Sequence, residues 1–233
     1  MNDPLYRPYW PYARRVRIRR GLKIAVQPTE EPIDIDTARQ HLRLDTTGSP
    51  PSHPDDALIT GIYLPAAREA CEQYLGASLA PQTLELSLGA EDRGYPFGVG
   101  LLQGFGLPRE FELPMGPLLG VESVTYTQDG VDSSFTDYNA DLFTDRIRLT
   151  QSATWPNTDD VPNPIVVRYQ AGYSTPSASP QDYQMPQALR AAILLTLSQI
   201  YDNCTQGTIC DINSVPVAVT YLLDPYKRKV GFA

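Results

Sequence analysis

The spacing of apolar residues changes twice along this chain, and the change restricts the folds that are open to it. From Leu58 to Leu75, apolar residues recur every three or four positions, which is the period of a helix face. From Gln82 the period becomes two, which is typical of strands with one buried face. The helical period returns over residues 185–203. This order predicts an α+β fold whose flanking helices pack together, because neither group alone can bury its apolar face.

Local signals indicate where the helices begin and end. Asp34 is placed to cap the first helix, and Gly76 is placed to end the second. Pro65 lies inside the second helix and predicts a kink, because proline removes one backbone hydrogen bond. With the long apolar helix after Met185 and a short closing element, we expect a small bundle of about four helices.

The central residues 82–173 predict an antiparallel β insertion of five or six strands between helices two and three. Gln-Asp-Gly at 128–130 is a hairpin signal. The Gly-rich stretch 91–108 predicts a long hairpin tip, which needs a partner to order it because fixing glycines costs backbone entropy. Three apolar side chains of this tip are candidate partner contacts, namely Leu101, Leu102 and Phe105.

These patterns divide the chain into four parts. A basic N-terminal arm covers residues 1–31, and a C-terminal tail covers residues 227–233. The helical domain is built from two segments, 32–81 and 174–226. The β insertion subdomain lies between them, at 82–173.

The charge distribution separates the arm from the body. The net charge is −8 for the whole chain, but residues 1–31 carry seven cations and three acids, and the rest carries 12 cations and 24 acids. Residues 16–26 partly alternate apolar and basic side chains, which indicates an arm that adds a strand to a neighbour; a loose basic tail is the alternative. The candidate arm contacts are Arg14, Arg15, Arg17, Arg19, Arg20 and Lys23.

The sequence offers no convincing catalytic, metal or cofactor site. Gly76 to Ala80 nearly matches a nucleophile elbow around Ser78, but it runs from helix to strand and no His follows His53. The Gly-rich residues 97–106 lack the helix N-terminus and Lys of a phosphate loop. With 3 Cys and 2 His in the chain, no zinc-binding spacing occurs. We therefore expect no enzyme, no metal and no cofactor.

The site of synthesis is expected to be a reducing cytoplasm. The first residues contain no apolar stretch typical of a secretory signal, and no apolar run is long enough to span a membrane. Whether Cys204 and Cys210 pair is left open.

Four stretches resemble the head–tail connector (adaptor) proteins of tailed bacteriophages. Residues 32–45 are similar to the family's opening helix, and residues 55–86 to its long second helix, which runs into a Gln-Thr strand. Residues 164–173 resemble the last strand of the family's β insertion. Residues 185–203, together with 215–229, resemble its closing helices. The resemblance covers about residues 32–229.

This resemblance implies a structural virion protein rather than an enzyme. Members form a ring, typically of twelve copies, that lies beneath the portal, joins capsid to tail and continues the DNA channel. The implied partners are the portal protein, tail-side stopper or terminator proteins and further copies of the chain. DNA passes through the lumen without sequence-specific binding. The implied location is the virion neck, although copy number, tail type and host are not specified.

The resemblance also assigns the two ends of the chain. The family's C-terminal region is implied to engage the portal, so the candidate portal contacts are Leu222, Leu223, Tyr226, Lys227, Arg228 and Lys229. The arm is assigned to a neighbouring copy or to the capsid. The alternatives are another tail or receptor-binding module, whose β block would be the binding face, and, third, a hydrolytic enzyme.

Overall fold

The chain folds into four helical segments and two antiparallel sheets. A computed structural model describes residues 18–90, 109–159, 161, 163–173, 184–206 and 217–227. The predicted α+β class with about four helices is confirmed. The Gly-rich tip, including Leu101, Leu102 and Phe105, lies outside the described residues.

The helices lie on both sides of the central strands in the sequence. The first is α1 (Ile35–Leu42). The second is continuous and consists of α2 (Asp56–Leu58), a π-helical turn (Ile59–Tyr63) and α3 (Leu64–Leu75). The last two are α4 (Gln187–Gln206) and α5 (Val217–Leu223), and a short 3₁₀ turn (Asp224–Tyr226) continues α5.

The strands form one large and one small sheet. The five-stranded sheet has the order β1-β2-β8-β4-β5, and the three-stranded sheet has the order β3-β7-β6. In chain order the strands are β1 (Ile18–Val26), β2 (Gln82–Ala90), β3 (Glu110–Glu112), β4 (Leu118–Gln128), β5 (Val131–Ser134), β6 (Tyr138–Asp141), β7 (Arg146–Leu149) and β8 (Ile165–Ala171).

The large sheet is not formed by the central segment alone. Strand β1 precedes the first helix, and it pairs antiparallel with β2 from Ile18 opposite Ala90 to Val26 opposite Thr83. Residues 82–173 contain seven of the eight described strands, where five or six were predicted, and the segment predicted as an arm supplies the eighth. Sequence periodicity indicated a strand there, but its partner is β2 of the same chain.

Helix boundaries follow the predicted caps. Asp34 accepts a hydrogen bond from the Thr37 N–H at 2.8 Å, and Gly76 ends α3 with φ 66°. A kink was predicted at Pro65, and the structure has a π-helical turn directly before it, in which the Leu64 N–H bonds to the carbonyl of Ile59, five residues back.

Two apolar cores lie on either side of the junction between Gly76 and Gln82. The helical core joins residues from α1, α3, α4 and α5, including Ala38, Leu75, Ile193 and Leu223. The β core joins the facing sides of both sheets, including Leu84, Leu86, Phe111, Ile147, Trp155 and Val167. At the junction, a Cβ on Gly172 would lie 2.2 Å from the carbonyl oxygen of Ala80, so only glycine allows this close approach.

A buried ion pair holds the same junction. The Glu72 carboxylate accepts from Arg68 Nη1 at 2.7 Å and from the Leu79 N–H, also at 2.7 Å. Arg68 also donates to Glu31 at 2.9 Å, which ties in the segment before α1. Burial raises the pKa of Glu72, and the positive charge of Arg68 and the backbone donors oppose that rise. One carboxylate thus connects helix α3 to the start of the β region.

Replacing Glu72 by alanine should destabilise the protein strongly. The substitution leaves the buried Arg68 guanidinium without one of its carboxylates and the Leu79 N–H without its acceptor. We expect a loss of about 3–5 kcal/mol in the free energy of unfolding, measured by urea denaturation.

Glu69→Ala is the matched control, because Glu69 lies in the same helix, only 3.6 Å from Arg68, but is half exposed. It should cost at most about 1 kcal/mol. Equal losses for the two variants would contradict the role given to Glu72.

Candidate interaction surfaces

The C-terminal segment is fastened to the end of α3. The Tyr74 hydroxyl donates to Asp224 Oδ1 at 2.5 Å, and the Lys227 ammonium lies 4.1 Å from the centre of the Tyr74 ring. The bond to Asp224 and burial together raise the pKa of the Tyr74 hydroxyl, so the tyrosine stays protonated as the donor. These contacts fix the position at which the chain leaves the helical domain after Lys227.

The candidate portal contacts differ in their exposure to solvent. Leu223 is fully buried in the helical core and is therefore not available to a partner in this arrangement, which corrects its assignment as a contact. Leu222 is half-buried, whereas Tyr226 and Lys227 are exposed. Arg228 and Lys229 lie outside the described residues.

Two further apolar helix faces are exposed. On α5, Val217 and Tyr221 are four residues apart and are 72% and 77% exposed. On the second helix, Leu58 and Ile62 are also four residues apart and about half exposed. Sequence analysis did not single out these pairs, because their helical spacing is also that of a buried face.

The hairpin between β6 and β7 presents an exposed aromatic side chain. Phe143 is 92% exposed at its tip, and Asp141 holds the turn by accepting from the Phe143 N–H and the Thr144 hydroxyl. At its base, the buried Asp145 accepts from the Leu118 N–H. Sequence analysis missed this tip, because nothing in the local pattern distinguishes an exposed Phe from a core residue.

The candidate arm contacts fall partly within the sheet. Arg19 and Arg20 lie in strand β1, although their side chains are outside the described part of the structure. Arg14, Arg15 and Arg17 precede the described residues. Lys23 pairs with Glu85 of β2 at 2.7 Å. Of the six predicted cations, Lys23 is thus the one whose partner the structure identifies.

Lys23 begins a row of alternating charges across one face of the large sheet. Glu85 also pairs with Arg168 of β8 at 2.9 Å, and Arg168 pairs with Glu122 of β4 at 2.7 Å. The bond to Lys23 lowers the pKa of Glu85, and the bond to Arg168 lowers the pKa of Glu122. Each cation in this row is already paired with a carboxylate, so the face gives little attraction for a phosphate backbone.

The other face of β1 carries an apolar stripe. Leu22 and Ile24 are 43% and 46% exposed, and we call these two residues the β1 stripe. A register shift after Ile24 places Val26 opposite Thr83, on the same face as Lys23 and Glu85. Leu22 lies opposite Leu86 and Ile24 opposite Leu84, and both partners are buried in the β core. The stripe is therefore continuous with the interior of the β region.

The structure also places Ser78, the candidate nucleophile, and the described His and Cys residues. The Ser78 hydroxyl is fully buried and accepts from Gln82 Nε2 at 2.8 Å, and the Ser78 N–H bonds to the carbonyl of Met115. His53 Nδ1 accepts from the Asp55 N–H, and His41 is exposed on α1. Cys71 is buried in the helical core, and the side chains of Cys204 and Cys210 lie outside the described residues.

Neither a metal cluster nor a membrane-spanning helix is found among the described residues. No three His, Cys, Asp or Glu side chains in the described part of the chain are grouped so as to hold a metal ion. None of the helices described there is both long and apolar enough to cross a membrane.

Known proteins resemble this chain in fold rather than in sequence. No family model and no curated protein matches it. A chain from the neck of an empty gene transfer agent (GTA) particle, computed with C6 symmetry, matches with a TM-score of 0.65 and 19% identity over 91% of this chain and 98% of that one. A chain from the virion of the native particle gives 0.61 and 20% over 90% and 97%.

A third match comes from the neck of the native particle computed with C12 symmetry, with a TM-score of 0.57 and 19% identity over 88% of this chain and 97% of that one. The sequence-based resemblance to a head–tail connector thus agrees with independent solved structures. At identities of 19–20% the likeness establishes the fold. The chain has the fold of a protein from the neck of gene transfer agent particles.

Proposed function

We propose that this chain is a structural head–tail connector of a virion or virion-like particle. It forms a ring beneath the portal, joins the capsid to the tail and continues the DNA channel. The observation that carries the proposal is the extent of the first neck match, which covers 91% of this chain and 98% of the other. The likeness therefore includes both the helical and the β regions and leaves little of either chain unmatched.

A ring requires two different patches on each copy, because each copy contacts its two neighbours head to tail. The described residues expose two separate apolar helix faces of suitable chemistry, Val217 with Tyr221 and Leu58 with Ile62. The neck neighbours were computed with C6 and C12 symmetry. We assign twelve copies to the ring, the order of the C12 case.

The charge of the chain suits a channel through which DNA slides. The net charge is −8, and Lys23 and Arg168, the cations described in the charged row on the outer face of the large sheet, are paired with carboxylates. Such a surface does not retain phosphates, since retention needs clustered Lys and Arg that are free to replace counterions. We therefore assign no sequence-specific DNA contact to the chain.

The C-terminal segment is assigned to the portal and the opposite end of the ring to tail-side stopper or terminator proteins. Tyr226 and Lys227 are exposed and held in place through Tyr74 and Asp224, so little conformational entropy is lost when a partner binds them. The protein is made in the host cytoplasm and works in the neck of the particle, and its role is structural rather than enzymatic.

Removing the gene should separate heads from tails. Without a connector, the portal has no surface on which the tail can dock, so we expect DNA-filled or emptied heads and free tails in electron micrographs. Supplying the chain in trans should restore joined particles. Joined, infectious or transferring particles in the absence of the chain would contradict the proposed function.

Tyr226→Ala should weaken binding to the portal. An exposed tyrosine that is held in place is a typical anchor of an interface, and its loss should reduce portal affinity about tenfold, corresponding to about 1.4 kcal/mol. Ending the chain at Lys227 should have a smaller effect, because an ion pair between exposed charges at the rim of an interface contributes at most about 1 kcal/mol. Affinity can be measured by surface plasmon resonance on purified portal.

Phe143→Ala is the matched control for this measurement, since it removes a still more exposed aromatic side chain from the β6–β7 hairpin. It should leave portal affinity unchanged. If Tyr226→Ala and Phe143→Ala bind the portal equally well, the C-terminal segment is not the portal contact.

A further inference from the structure

Strand β1 is an unusual edge strand. It is the terminal strand of the five-stranded sheet, and within the described residues it pairs with β2 on one side and with no strand on the other. An edge with open N–H and C=O groups attracts other chains, so proteins usually keep such strands short, charged or covered. Here the edge is 9 residues long and carries the half-exposed β1 stripe, Leu22 and Ile24.

The opposite edge of the same sheet is protected. Strand β5 has 4 residues, and its sequence VDSS is mostly polar. Its one exposed large apolar residue is Val131. Strand β1 is therefore the longer and the more apolar of the two edges of this sheet.

The β1 stripe lies at the solvent-exposed edge of the β core. Across the β1–β2 ladder, Leu22 and Ile24 lie opposite Leu86 and Leu84, which are 1% exposed. Covering the stripe would extend an existing apolar layer, and the removal of apolar surface from water is favourable. Lys23 lies between Leu22 and Ile24 in the alternation and bonds to Glu85 on the other face, so it does not block the stripe.

We propose that the β1 stripe receives the N-terminal segment, residues 1–17, of a neighbouring copy of this chain. The inference rests on the proposed function, because a ring places an identical copy beside each protomer. The partner of the basic arm is then a neighbouring copy, and the surface on which the arm docks is the β1 stripe.

The composition of the segment fits this surface. Its sequence, MNDPLYRPYWPYARRVR, contains an apolar and aromatic set that can cover the stripe, namely Leu5, Tyr6, Tyr9, Trp10 and Tyr12. Three prolines at positions 4, 8 and 11 exclude a continuous β ladder, so the contact is made by side chains rather than by strand addition. Prolines also reduce the entropy lost on docking.

The charge of the segment is opposite to that of the body of this chain. Residues 1–17 contain four arginines and one aspartate, whereas the residues after 31 carry 12 cations and 24 acids. The cationic segment is therefore attracted to the acidic body of a neighbouring copy.

The direction of β1 favours a neighbour over the chain's own stripe. Residue 17 joins the strand at Ile18, opposite Ala90, and the stripe runs away from that end towards Val26. A segment that covered its own stripe would have to reverse direction just before Ile18, and residues 12–17 contain no Gly, Pro, Asn or Asp to form such a turn. Extended, 17 residues span up to about 55–60 Å, which is enough to reach an adjacent copy.

Photo-crosslinking of the full chain tests the proposal. Trp10 is replaced by p-benzoylphenylalanine, chains labelled with ¹⁴N and ¹⁵N are mixed in concentrated solution, and cross-linked peptides are identified by mass spectrometry. We expect mixed-isotope cross-links, which join position 10 of one copy to peptides from residues 21–39 of another copy. Same-isotope cross-links at that site would show that the chain's own segment covers the stripe, and cross-links elsewhere or none would show that the stripe is not the docking site. Either result overturns the proposal.

Substitutions on the two edges provide the control. Ile24→Lys places a charge in the stripe and should reduce the mixed-isotope cross-links about tenfold, and Leu22→Ser should reduce them without adding a charge. Val131→Lys, on the opposite edge, should leave them unchanged. All three positions are substantially exposed, and circular dichroism checks that each variant is folded. Equal cross-linking by Ile24→Lys, Leu22→Ser and Val131→Lys would also overturn the proposal.

The mass of the assembly, measured separately by light scattering, helps to distinguish a failure of the docking site from a failure of the connector function. An intact ring whose cross-links fall elsewhere refutes the docking site alone. Mixed-isotope cross-links at the stripe in a chain that is absent from the neck of the particle refute the connector function and leave the docking site standing.

Discussion

The buried carboxylate of Glu72 is the interaction on which the arrangement of the two cores depends. It lies at the end of α3, where a helix must give way to a strand within a few residues. Arg68 compensates its charge, and the N–H groups of Leu79 and Ala80 point at one of its oxygens, at 2.7 Å and 3.4 Å. A charge buried this deeply is tolerated only when its partners are fixed, so the helix end and the turn are held together.

The surfaces follow from that junction. Once β2 begins at Gln82, its pairing with β8 and β1 places one face against the small sheet and turns the other, with its row of paired charges, outwards. On the helical side, Tyr74 lies two residues beyond Glu72 and positions Asp224 and Lys227 at the C-terminal exit. The same end of α3 thus fixes the sheet and the segment assigned to the portal.

Sequence analysis predicted those features that local chemistry decides. The Asp34 cap, the Gly76 helix end and the Asp129–Gly130 turn each depend on a few adjacent residues, and the structure contains all three. The pairing of β1 with β2 was not predictable in this way, since its partners are more than 50 residues apart. Alternation indicates a strand but not the strand beside which it lies.

Candidate contacts were harder to predict, because exposure depends on tertiary packing. Leu222 and Leu223 look equivalent in the sequence, yet Leu223 enters the helical core and Leu222 is only half-buried. Conversely, Phe143 resembles a core residue in sequence and is almost fully exposed. Arg68 and Glu72 read as an ordinary surface pair four residues apart, and only the packing of Glu31 and the turn around them makes the pair buried.

The central claim is that this chain is a connector in the neck of a particle, and a cryo-EM reconstruction of that neck tests it most directly. The account predicts a ring of this fold between portal and tail, with the exit at Lys227 directed towards the portal and twelve copies around the axis. A neck in which this density is absent, or a particle in which the chain occupies the tail tip or the capsid surface, would contradict it.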